Sequence, residues 1–305
     1  MENDFHQWLF ENLSASGRAK VGIGDDAAVL DWVKDHECVV TSDMLAEGVH
    51  FRLDEVGPER VGRKSLAVNL SDLAAMGSRP VAAVVSLMIP QSADTALPRV
   101  ILQGMQSLAD TFNMAIVGGD TNTWPGELVI SVTALGVLDG NAPFRRDGAK
   151  AGDILLVTGP LGGSLLGHHL DFVPRVQKAL DLQTGVSNGT VAINAAMDIS
   201  DGLAMDSSRM AARSGCGIEL DATKIPVSAA ARKMSDDSSG KTPLQHALGD
   251  GEDFELLLAM SPKDAAKAAA EFGLFEVGQC VDNDGLWLLE ESGKRVALQP
   301  TGYQH

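Results

Sequence analysis

Only three cysteines occur in this 305-residue chain, at Cys38, Cys216 and Cys280. They are far apart, odd in number and without a C-x-x-C spacing, which excludes a disulfide framework or a zinc ribbon and fits a reducing compartment. Aromatic residues make up 5% of the sequence, and tyrosine occurs once, at Tyr303. No apolar run approaches the roughly 20 residues of a membrane span. The opening MENDFHQWLF carries acidic residues where an export signal carries basic ones, so a cytoplasmic protein with no membrane association is expected. Basic residues are scarce as well: 24 Lys and Arg face 41 Asp and Glu, a formal charge of -17. That balance repels nucleic acid and suits a protein that holds several divalent cations. The segment TGPLGGSLLG lacks the Gly-Lys-Ser/Thr ending of a P-loop, and there is no G-x-S-x-G elbow, which disfavours a Walker ATPase and an α/β-hydrolase. Asp282-Asn283-Asp284-Gly285 lacks the other ligands of an EF-hand and reads as a hairpin turn.

What the chain does have is aspartate at the ends and turns of apolar segments: Asp26 in GIGDDAAVL, Asp43 in VVTSDML, Asp72 in VNLSDLAAMG, Asp120 in IVGGDTNT, and Asp198 and Asp201 in MDISDGL. An ionised group resists leaving water unless a cation meets it, so this placement asks for metal. Small hard cations such as Mg²⁺ take oxygen ligands and are usually held by one or two carboxylates with phosphate and water. Strand alternation sends Thr41 and Asp43 to one face and Ser42 to the other, although at a strand end all three can still join a metal shell. A helix is expected over residues 62–77, with Ser65, Asn69 and Asp72 forming one polar stripe beside an apolar one. That stripe is either a wet edge or a face turned to a polar cavity. VGGDTNT and MDISDGLAMD each follow a strand with glycine and exposed backbone N–H groups, a geometry that can approach phosphate. Arg146 is either an anion partner, by the bidentate fit of guanidinium to phosphate, or a solvated linker charge beside Arg145. A lone histidine such as His50 is more often a structural hydrogen-bonding group than a catalyst.

Along the chain, HECVVTSD, PVAAVVSLMIP, MAIVGG and LVISVTALGVL read as strands interleaved with two helices, an α+β pattern. DGNAPFRRDGAKAG breaks it with Gly, Pro and charge, as a domain junction does. Two domains are therefore expected, 1–147 and 148–305. In the second, DILLVT, AAMDIS, GIELD and DFELLLAM read as strands. LGGSLLGHHL, DGLAMDSSRMAARSG and 261–272 read as helices, and two or three short strands close the chain. The second half is α/β in character.

Taken in order, GIGDDAAVL, TSDMLAEGVHF, KSLAVNLSDLAAMGSRP, IVGGDT, RRDGAKAGD, MDISDGLAMD and GEDFELL resemble the thiamine-monophosphate kinase family. It belongs to an ATP-binding superfamily that includes aminoimidazole ribonucleotide synthetase, selenophosphate synthetase and a hydrogenase maturation factor. The resemblance implies an N-terminal α+β domain whose sheet pairs across a homodimer, a C-terminal α/β domain with a mixed sheet, and ATP held between them on several Mg²⁺ ions. It implies phosphorylation of thiamine monophosphate by direct in-line transfer. Position by position it makes Asp26, Thr41, Ser42, Asp43, Asp72, Asp120, Asp198 and Asp201 metal ligands. Gly119, Asp120, Arg146 and Ser200 become ATP contacts, with Asp43, Asp72, Asp120 and Arg146 at the transferring group. His50, Glu252 and Tyr303 fall on the thiamine-phosphate side, where the family commonly continues past the Gly-Tyr-x-His ending with a further aromatic residue. Another enzyme of the superfamily is the nearest rival; selenophosphate synthetase would want a reactive cysteine and a lysine near the N-terminus. A non-catalytic cation-binding protein is the rival from a different class.

Overall fold

The computed structural model describes residues 19–21, 29–30, 32, 36–237 and 240–303. The chain divides into two compact units, one of Met1–Leu73 and Ser78–Gly140, the other of Ala74–Gly77 and Asn141–His305. It is an α+β protein with a mixed sheet in each. No helix among the described residues is long and apolar enough to cross a membrane.

In the first unit β1 (Ala19–Val21) and β2 (Val29–Leu30) form a small antiparallel pair. The main sheet contains β3 (Cys38–Ala46), β4 (Arg79–Pro90), β5 (Ala115–Trp124) and β6 (Val129–Val137), in the order β3-β6-β4-β5. β3 and β5 are therefore its edges. Leu45, Val85, Leu87, Ile130 and Val132 are buried on one face. The helix Pro58–Ala75 covers that face, because Leu73 lies against Gly136 and Asp72 meets Thr41. A second helix, Leu97–Thr111, crosses the first where each has a glycine. A Cβ on Gly62 would stand 1.9 Å from the Ile101 carbonyl oxygen, and one on Gly104 would stand 1.9 Å from that of Glu59. Helix interiors ordinarily disfavour glycine, and here its smallness lets two backbones touch. The opposite face is open in part, with Val40 at 60%, Met44 at 63% and Val84 at 37% exposure, while at one end Ala82, Ala115, Val117 and Val137 are buried with Trp32 and Leu135 packed against them.

The helix starts a turn before the expected Gly62, at Pro58, whose fixed φ suits a first-turn position. Its polar stripe has no wet edge at Ser65 and Asn69, which are fully buried and bond back into the helix, to Val61 O and Ser65 O.

The second unit is built on a seven-stranded sheet. Its strands are β7 (Ile154–Val157), β8 (Ala195–Asp198), β9 (Gly217–Asp221), β10 (Leu256–Met260), β11 (Phe275–Val281), β12 (Leu286–Leu289) and β13 (Arg295–Ala297). The order is β13-β12-β9-β11-β7-β10-β8. All pairs are antiparallel except β12 with β9. Every residue of β10 is buried, as its unbroken apolar run requires.

Two expectations are corrected here. Asp282–Gly285 does not close a hairpin, because β9 lies between β11 and β12. The turn steps over β9 at Gly217, where any Cβ would stand 1.8 Å from the Asn283 carbonyl oxygen. LGGSLLGHHL is not one helix but a 3-10 turn, Ser164–Leu166, and a short helix, His168–Asp171. Gly163 and Gly167 flank the 3-10 turn at φ 75° and 119°, which a continuous α-helix cannot accommodate.

Candidate active site

In the first unit two aspartates meet beneath the covered face of the sheet. Alternation along β3 turns Thr41, Asp43 and Leu45 to the helix side. The fourth turn of the helix brings Asp72 to them, and Thr41 Oγ1 donates a hydrogen bond to Asp72 Oδ2. Burial, and then the charge of Asp72, push the Asp43 carboxyl up to about 7. Desolvation and like charge both disfavour a carboxylate, so the pair is costly as two anions and eased by a cation. Its donors are oxygen only, which fits a hard divalent ion such as Mg²⁺ better than a soft one. Among the described residues no group of three His, Cys, Asp or Glu side chains is gathered for a metal, so this pair needs Thr41, water or phosphate to complete a shell. Asp26 lies outside the described residues.

The other expected residues of this unit are spread around the pair. Ser42 points to the open face, where its hydroxyl meets that of Thr133 at 2.9 Å, so its side chain does not join Asp43. Register places Asp43, Val132, Val85 and Gly119 in one cross-sheet row. Gly119 is thus level with Asp43 but three interstrand steps away, roughly 14 Å at about 4.8 Å per step. A Cβ there would stand 1.8 Å from Val85 O, so only glycine fits. Asp120 pairs with Ser86, and through it with Ser131 and Met44, on the open face. Its carboxylate accepts Thr121 N–H at 2.9 Å and Asn122 Nδ2 at 2.9 Å. Asp120 and Asp43 therefore cannot share one ion within this unit. The His50 ring is locked in a turn, with Nδ1 accepting Ala46 N–H at 3.1 Å, which leaves the ring proton of neutral His50 on Nε2. The buried Lys64 ammonium donates to His50 O at 3.0 Å.

In the second unit the segment from Asp198 to Gly202 is held by two others. Ile199 N–H donates to Glu255 O and Phe254 N–H to Ile199 O, both at 2.8 Å. Glu252 N–H donates to Ser200 O at 2.6 Å, and Tyr303 N–H donates to Asp201 O at 3.1 Å. Asp198, Ser200, Asp201, Glu252 and Tyr303, expected as site residues from distant parts of the sequence, are thus gathered in one place. Asp198 and Asp201 are both buried. Glu252 and Phe254 carry positive φ, 54° and 52°, a conformation uncommon outside glycine that concentrates at functional segments. Arg146 is exposed, with its carbonyl accepting from Ser214 Oγ at 3.1 Å. Its neighbour Arg145 is bound to Asp147 through Nε at 2.7 Å and Nη2 at 2.5 Å.

Several residues of this region were not singled out from the sequence. Asp206 is completely buried, and burial moves its carboxyl up to about 6 against the pull of Asp201 N–H and Arg209. Arg209 bonds both Asp201 and Asp206. Asp253 is buried with Oδ1 on Gly162 N–H at 2.8 Å, and desolvation first, then Glu255 and Asp250, hold its carboxyl well above the ordinary range. The i, i+3 spacing of Asp206 and Arg209 was a readable signal; the burial of Asp253 was not, since GEDFELL alternates poorly.

Comparison with known proteins places the chain in a family. The family model for AIR synthase related protein, N-terminal domain, matches residues 24–138, and that for its C-terminal domain matches residues 150–286. A curated thiamine-monophosphate kinase from Rhodopirellula baltica is 40% identical over 315 residues, spanning 100% of this chain and 97% of its own. The crystal structure of thiamine-monophosphate kinase from Stenotrophomonas maltophilia aligns at a TM-score of 0.76 and 34% identity, covering 93% of this chain and 94% of that one. A structure described as AaThiL complexed with AMPPCP and TMP aligns at a TM-score of 0.73 and 29% identity, covering 100% and 95%.

Proposed function

The chain belongs to the thiamine-monophosphate kinase family, phosphotransferases of the AIR synthase related group, and we propose that it transfers the γ-phosphoryl group of ATP to thiamine monophosphate, releasing ADP and thiamine diphosphate. The observation that carries this reading is the half-buried Asp43–Asp72 pair, which two anionic substrates and a divalent cation would complete. Magnesium, when bound, supplies neutralising charge between the two phosphoryl groups.

We assign Thr41, Asp43 and Asp72, with Ser42 through its backbone oxygen, to one set of magnesium contacts, and Asp26 as a further magnesium ligand. Asp198 and Asp201 form a second set, and Asp120 a third, remote from Asp43. Gly119, a position closed to any side chain, lets backbone approach the nucleotide phosphates, while Ser200 supplies a hydroxyl and Arg146 a fork of donors. We assign His50, Glu252 and Tyr303 as contacts of thiamine monophosphate. The aromatic ring of Tyr303 offers a stacking face to the thiazolium or pyrimidine, and the Glu252 carboxylate complements the thiazolium charge. The attacking oxygen belongs to a phosphate already ionised near neutral pH, so no side chain is assigned as general base. The residues orient and neutralise, and transfer is direct and in line. The roles divide along the chain, with 1–147 as the ATP and magnesium domain and 148–305 completing the nucleotide and substrate site. We place the enzyme in the cytoplasm.

The test is incubation of the protein with ATP, Mg²⁺ and thiamine monophosphate, followed by chromatography for thiamine diphosphate and ADP, with free thiamine in parallel. Product from the monophosphate and none from thiamine supports the reading. ATP left intact beside both acceptors overturns it.

The open sheet face supports a homodimer. Val40, Met44 and Val84 expose apolar side chains among the hydroxyls of Ser42, Ser86, Ser131 and Thr133, on a sheet with two edge strands, and a second copy can cover that face. Light scattering is expected to give twice the chain mass for the wild type and a shift toward monomer for Met44→Asp. A monomeric wild type contradicts the dimer.

A further inference from the structure

The segment Asp198–Gly202 has a further support besides the Glu252 and Tyr303 backbones, and it consists of side chains. Asp206, in the first turn of the helix Leu203–Ser214, accepts the Asp201 N–H on Oδ2 at 2.9 Å. Its other oxygen accepts Arg209 Nη1 at 2.8 Å, and the same Nη1 donates to Asp201 Oδ2. One nitrogen thus ties the carboxylate of Asp201 to that of Asp206, while Asp206 ties down the Asp201 peptide. Arg209 engages Oδ2 of Asp201, and Oδ1 remains for another partner.

We propose that Asp206 and Arg209 are positioning residues that hold the Asp201 carboxylate in a ligating pose before any cation arrives. This rests on the reading of Asp201 as a magnesium ligand. Ligating carboxylates are commonly hydrogen-bonded from behind, and loss of that support typically costs 10- to 100-fold in metal affinity. An opposing effect exists, since removing Arg209 deletes a positive charge and would draw cations closer. Its side chain is 39% exposed, where solvent and salt screening hold the effect of one charge on a divalent ion to a factor of about 5. Orientation therefore outweighs charge, and removing Arg209 weakens the site.

Mn²⁺ serves as the probe, with free ion counted by electron paramagnetic resonance in the absence of nucleotide. The variants are Arg209→Met, Arg209→Lys, Asp206→Asn and Asp201→Asn, and melting temperatures in EDTA report folding separately. Arg209→Met and Asp206→Asn are expected to weaken one class of Mn²⁺ site by roughly 10-fold or more. In steady state they raise the Mg²⁺ concentration for half-maximal rate by a similar factor, with kcat at saturating Mg²⁺ changed only a few-fold. Because a single nitrogen makes both bonds, an ammonium can stand in for it. Arg209→Lys is therefore expected to stay within about threefold of wild type. Unchanged or tighter Mn²⁺ binding in Arg209→Met, beside weakened binding in Asp201→Asn, overturns the clamp and leaves the metal reading standing. Equal binding in wild type and Asp201→Asn removes Asp201 from the ligand set and overturns both.

Discussion

Asp43→Asn is expected to lower the rate of phosphoryl transfer by at least about 10²- to 10³-fold while making the metal-free protein more stable at pH 8. The two effects have one cause. Asp43 sits in a poorly hydrated place beside Asp72, and its carboxyl is raised from 3.8 to about 7. Between these values the folded chain holds a proton that the unfolded chain releases, so stability is fullest below pH 3.8 and is lost as pH rises through 7. The full shift corresponds to roughly 4 kcal/mol as an upper bound. Asparagine cannot ionise and escapes that loss. In EDTA at pH 8 the variant should melt roughly 5 °C or more above wild type, with the difference disappearing near pH 4. Added Mg²⁺ should raise the melting temperature of wild type far more than that of the variant. A metal-free variant less stable than wild type at pH 8 would make Asp43 a structural residue.

The second large effect is expected at Arg175. Its guanidinium grips Glu255 through Nε at 2.7 Å and through Nη2. Glu255 is only 1% exposed and also accepts Thr158 Oγ1 at 2.5 Å. Removing one partner of a buried pair strands the other charge and typically costs about 3–5 kcal/mol. Arg175→Met should therefore lower the melting temperature by roughly 10 °C. Activity should fall as well, because the Glu255 carbonyl holds Ile199 next to Asp198. Glu255→Leu in the Arg175→Met background should recover at least half of the lost stability, since two apolar groups leave no stranded charge. A double variant no better than Arg175→Met would place the loss in packing around the Arg175 stem instead.

The elements were legible where apolar runs met clear punctuation. β4, β6 and β10 lie on PVAAVVSLMIP, LVISVTALGVL and DFELLLAM, and the helix Leu203–Ser214 stops at Gly215 with φ 69°. What failed depends on neighbours distant in sequence. The glycines of LGGSLLGHHL look like a helix entrance until Gly163 is seen against Ala230 and Ala231. The turn at Asp282–Gly285 looks like a hairpin because nothing local announces β9 between its strands. The candidate site divides in the same way. Alternation alone paired Thr41 with Asp43 and turned Ser42 away, whereas the distance of Asp120 from Asp43 follows from strand order, which sequence does not carry. Asp206 and Arg209 were overlooked because their work is done against Asp201 and not in the open.

Acidic side chains of this chain, through magnesium, are expected to hold the phosphates of ATP. Calorimetric titration of AMPPCP into the wild type and into Asp43→Asn, each with Mg²⁺ and with EDTA, tests this directly. Binding to wild type is expected to be about 100-fold or more tighter with Mg²⁺ than with EDTA, and binding to Asp43→Asn to be weak in both. Equal affinity of the wild type in the two conditions would contradict that role of magnesium.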